Sequence, residues 1–65
     1  MTTKHIRNLS DAALDWTMAD LWSVIQIQEK AVREESMHCP KLGQYWDDLH
    51  ACIEERNRRN RKAVA

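Results

Sequence analysis

Four side chains able to ligate a soft metal or act as nucleophiles are His38, Cys39, His50 and Cys52. A zinc site needs its ligands to converge. On a helix, His50 and Cys52 diverge by about 200°. Cys52 also falls on an apolar stripe, so it reads as core, with His50 exposed. Two carboxylate-x-x-His pairs, Glu35 with His38 and Asp47 with His50, have the spacing that di-iron bundles use. Asp47 and His50 face away from the Leu49 stripe, however, and His38 falls in a turn. Cys39, beside His38, could be stabilised as a thiolate by a helix N-terminus. A two-helix chain, though, is too thin to enclose the ~300 Å³ or more that ligand sites use. These residues therefore predict no catalytic, cofactor-binding or metal-binding site, and the chain reads as non-enzymatic.

The next chemistry is charge. Net charge is zero, with ten bases and ten acids, but residues 1–55 carry ten acids and five bases whereas residues 56–62 carry five bases and no acid. Arg56, Arg58, Arg59, Arg61 and Lys62 could meet phosphates in salt-dependent binding. They could equally dock an acidic protein surface, or simply meet the negative end of a helix dipole. No base-reading motif accompanies them, and no aromatic residue interleaves them as a stacking platform.

The elements that must position these groups are few. Gly43 and Pro40 are the only glycine and the only proline, three residues apart. One such cluster in a chain rich in helix formers predicts two helices. Ser10 is the N-cap of the first, with Asp11 at the positive end of the dipole and Leu9 and Leu14 at staple spacing. That helix is expected over about 10–36, ended by the restriction Pro40 places on Cys39. A turn spans 37–43, a second helix about 44–61 and a tail 63–65. Residues 1–9 are expected as a flexible arm. The short connection implies antiparallel packing, which brings Lys4, His5 and Arg7 to the basic end. Glu34, Glu35, Asp47 and Asp48 then gather at the other.

Leu14, Met18, Leu21, Ile25, Gln28 and Val32 alternate spacings of four and three, a coiled-coil-like seam. Leu42, Tyr45, Trp46, Leu49, Cys52 and Ile53 form the facing stripe. Without Gln28, these residues are the expected hairpin core. Helix 1 has a second strip, Ala13, Trp16, Val24, Ile27 and Ala31, interrupted by Asp20. Helix 2 cannot cover it. Leaving Trp16, Val24 and Ile27 wet forfeits about 1.5–3 kcal/mol for each fully buried large side chain and exposes an apolar patch. The strip is thus the expected partner interface, covered by dimerisation or else by a groove on another protein. Trp16 is its leading anchor, because tryptophan is enriched at hot spots. Trp22, at the seam margin opposite to Trp16, either caps the hairpin core or faces a partner from the other side.

The pattern Leu9-Ser10-Asp11-x-x-Leu14, with the late run Ile53-Glu54-Glu55-Arg56 and further arginines, is similar to short hairpin kinase inhibitors of the Sda type. It also resembles the plan of phage and plasmid accessory hairpins. The turn His38-Cys39-Pro40 departs from that pattern. The resemblance implies a regulatory hairpin and assigns no role to any residue.

The expectation is an all-α antiparallel hairpin that dimerises into a four-helix bundle. Below about 70–80 residues a single core supplies only roughly 3–5 kcal/mol, and two cysteines make no disulfide framework. Oligomerisation is the remaining staple. No apolar run reaches the ~18 residues of a membrane span and no signal-peptide pattern opens the chain, so the expected compartment is the cytosol with both thiols reduced. The expected function is a regulator or adaptor acting by protein–protein contact, with a larger protein partner. The alternative is a small nucleic-acid-binding regulator using the basic end.

Overall fold

The computed structural model describes residues 2–64, and side chains through Lys62. It is all-helical: α1 (Thr3–Arg7), α2 (Asp11–Glu35) and α3 (Leu42–Val64). The two long helices pack together, and α1 packs on α3. The expected start of α2 is present. Ser10 Oγ accepts from the Ala13 amide at 3.1 Å, satisfying one donor that a helix N-terminus leaves free.

Three local features differ from the sequence expectation. The segment expected as a flexible arm contains α1, capped by Thr2, whose hydroxyl accepts from the His5 amide. Its Ile6 is 2 % exposed. One apolar residue in a polar stretch is a weak periodic signal, but burying it stabilises by about 1.5–3 kcal/mol. Second, α3 starts at Leu42, inside the interval from Pro40 to Gln44 in which the sequence lets it begin, and runs through Val64, beyond the expected end near Arg61 and into part of the expected tail. Third, Gly43 lies inside that helix without positive φ. The residue in the left-handed region is Ser36 (φ 54°, ψ 30°), the C-cap of α2. The Ser36 and Met37 amides both turn back to the Ala31 carbonyl. Pro40 and Ser36, not Gly43, make the break.

The core is Ile6, Leu14, Leu21, Ile25, Leu49 and Cys52, with Leu9, Met18, Leu42, Tyr45, Trp46 and Ala51 half-buried against it. Val32 and Ile53, both expected in the core, are exposed, at 42 % and 37 %. For Val32 the reason is the return of the chain. The Cys39 thiol donates to the Gln28 carbonyl at 4.0 Å, so α3 rises from a level below Val32 and the last turns of α2 overhang it. Ile53 stands at the rim of the face shared by α2 and α3, beside Met18, Ala19 and Trp22, rather than between the helices. Burial raises the Cys52 thiol pKa, and the Asp48 carboxylate adds to the shift.

The molecule is elongated, 46 × 19 × 16 Å with a radius of gyration of 13.7 Å, against roughly 10.8 Å for a compact domain of this length. It is a slab two helices wide. Among the described residues no helix is long and apolar enough to cross a membrane.

Candidate interaction surface

Helix α2 carries apolar side chains on two flanks. On its outer edge, away from α3, Trp16 is 72 % and Ile27 69 % exposed. They stand eleven residues, about 16 Å, apart along the axis. Between them lie the half-buried Val24 and the exposed Asp20, with half-buried Ala13 and Ala31 toward the ends. The strip read from the sequence is therefore a broken ridge in which only Trp16 and Ile27 project fully.

The second flank spans both long helices. Trp22 meets Trp46 edge to face, centroids 5.9 Å apart and planes at 75°, a favoured aromatic geometry. Trp46 also donates its indole N–H to Glu29 Oε1 at 3.0 Å and lies 5.7 Å from the His50 ring. Met18, Ala19, Trp22, Trp46, Leu49, His50 and Ile53 line a groove of about 410 Å³, with Asp15 and Arg56 at one end. It is open to solvent rather than enclosed. It arises because Trp22 and Ile53 stand up from the slab as walls. Trp22 belongs to this flank, not to the ridge of Trp16.

The basic end is largely spoken for. The buried Glu55 accepts from Arg58 Nε at 2.9 Å, Arg58 Nη2 at 2.7 Å and Arg59 Nε at 2.6 Å. Those hydrogen bonds hold its carboxyl down at about 2, against an ordinary 4.5, and raise the pKa of both arginines. Arg59 continues across the molecule. It donates to Asp11 Oδ1 at 2.8 Å and to the carbonyls of Leu9, Arg7 and Ile6 at 2.7, 3.2 and 3.4 Å. The planar five-donor fork of arginine suits such a cluster. Arg56 pairs with Asp15 at 3.0 Å, both half-exposed. Arg61 and Lys62 are exposed. The juxtaposition with α1 foreseen for this end is present, but three of its five bases face carboxylates.

Glu55 and Ile6 were not singled out from the sequence. Glu55 lies at i−3 from Arg58 and i−4 from Arg59, a spacing that signals the pairs, though not their burial. His50 is exposed and Cys52 buried, so the two do not converge. Both cysteines are free, Cys39 half-buried in the turn. Among the described residues no three His, Cys, Asp or Glu side chains gather as a metal site would require.

The chain matches no protein-family model, no curated protein and no solved structure. The likeness to short hairpin inhibitors accordingly lends no function to any residue here.

Proposed function

We propose that the chain is a non-enzymatic protein–protein interaction module, a small cytosolic regulator or adaptor. It acts through apolar helix faces and self-associates into a dimeric four-helix bundle. The observation that carries this reading is the exposure of Trp16 and Ile27 on one flank of α2 while Trp22 and Ile53 stand open on the other. Apolar surface of this kind, rimmed by polar residues, marks interaction sites. Tryptophan at its centre supplies large contact area at small entropic cost. The Trp16–Ile27 ridge is an anchor for a larger protein, entering a groove as an amphipathic helix does.

Sedimentation equilibrium over a concentration series tests the assembly. The expected result is twice the monomer mass at micromolar concentration. A folded monomer throughout that range removes the dimer from the reading.

The second reading, nucleic-acid binding, rests on the exposed Arg61 and Lys62, of which Arg61 shares a surface hollow with Thr3, Ile6 and Arg7 of α1. Salt dependence discriminates. If all five C-terminal bases met phosphates, the slope of log affinity against log salt would be about −4.5; with Arg56, Arg58 and Arg59 held by carboxylates it would be about −2. Binding to duplex DNA with the steeper slope would favour this reading over the first.

A further inference from the structure

We infer that the Trp22/Trp46 face is the seam of a homodimer and that its occupant is a second copy of this chain. The inference rests on the reading of the protein as a self-associating module, and it names the face. Area is the first argument. The chain exposes 5024 Å², whereas a compact monomer of its mass exposes roughly 4,300 Å². The surplus, roughly 700 Å², is spread over the whole elongated chain, and it is of the order of the ~800 Å² that each partner gives up in a standard interface.

Shape is the second. A slab two helices wide gains a second layer only across a face that includes both helices, and the Trp22/Trp46 groove takes its walls from α2 and α3 alike. The ridge of Trp16 and Ile27 lies on one helix. Helix α1 covers a different side of α3, near Ala51, Glu55 and Arg58, and leaves the groove open.

Charge is the third. At the groove's end Asp15 and Arg56 neutralise one another, and Glu29 is turned to the Trp46 indole. The whole chain has zero net charge. The groove end therefore carries no net charge from this pair with which to repel a two-fold copy. In the bundle Trp22 and Ile53 of each copy would fill the other's groove, as self-complementary interfaces require.

The test is sedimentation equilibrium on the full chain and three variants, with helical circular dichroism recorded for each. Ile53→Glu puts a charge on the groove wall. Ala19→Arg puts bulk and charge at its edge without removing a packed atom, so it reports even if Ile53→Glu fails to fold. Ile27→Glu marks the opposite flank. The expected result is a wild-type dimer whose dissociation constant rises about thirtyfold or more in both groove variants, the loss of a hot spot, and is unchanged in Ile27→Glu. A dimer insensitive to Ala19→Arg but dissociated by Ile27→Glu overturns the face while leaving self-association intact. A wild-type monomer overturns self-association itself.

Discussion

The two ends of the hairpin are built differently. At the end far from the turn, Ile6, Leu14 and Cys52 are at most 2 % exposed, and one arginine ties α3 to the Asp11 carboxylate and three carbonyls of the N-terminal segment. At the turn end, Val32 and Met37 are 42 % and 53 % exposed. Gln28 keeps a buried side-chain oxygen without a hydrogen-bond partner among the described residues, and a serine occupies left-handed backbone. The hairpin is thus fastened where its helices are most distant along the chain. A turn only has to bring two helices near each other. Their register is held where packing and directional hydrogen bonds act together.

Four measurements break or sharpen this contrast. The largest effect is expected from Leu14→Ala at the fastened end, a loss of about 2–5 kcal/mol in urea unfolding. That is comparable to the whole stability of so small a core. Val32→Ala at the turn end should cost within about 0.5 kcal/mol, as surface substitutions do. Equal losses would erase the contrast.

Acid comes next. The folded pKa of Glu55, about 2, lies below its ordinary 4.5. The unfolded chain therefore takes up the proton first. The stabilisation is complete above pH 4.5 and is lost as pH falls toward 2. Thermal melts between pH 6 and pH 2 should show this decline, and Glu55→Gln should flatten it while lowering Tm at neutral pH. An unchanged acid profile in that variant would detach the lock from stability.

Third, Gln28→Met replaces a buried unpaired oxygen with apolar atoms of similar volume. It should raise stability by about 1–2 kcal/mol, the desolvation cost removed. Smallest are two changes at the turn. Ser36→Gly relieves left-handed backbone. Gly43→Ala adds a methyl where a Cβ meets nothing within 4 Å. Each should add about 0.5–1 kcal/mol in the same urea titration. A loss at Gly43 would mean that the position is covered in solution.

Legibility from sequence followed the range of the interaction. Ser10 as N-cap, the Leu14–Leu21–Ile25 seam and the break near Pro40 depend on residues three or four apart, and all are present. The apolar surplus of α2 and the position of Trp22 opposite to Trp16 were also visible, but the pairing of Trp22 with Trp46 was not. Trp22 and Trp46 are partners only because antiparallel packing brings their levels together. The basic run was plain in the sequence, and the spacing of Glu55 signalled its pairs with Arg58 and Arg59, but the neutralisation by Asp11 and Asp15 was hidden, since these lie more than forty residues away.

By itself, then, the sequence determined two amphipathic helices, where the chain turns, and that one helix has more apolar surface than the other can cover. Helical periodicity and capping are local and leave a direct imprint on residue spacing. Only the tertiary structure decided that Ile6 docks, that Glu55 is buried between two arginines, and that Arg59 reaches the carbonyls of Ile6, Arg7 and Leu9. Those contacts require the register and facing of helices joined by a long chain path. That geometry is fixed by the packing of the whole core rather than by any single stretch of residues.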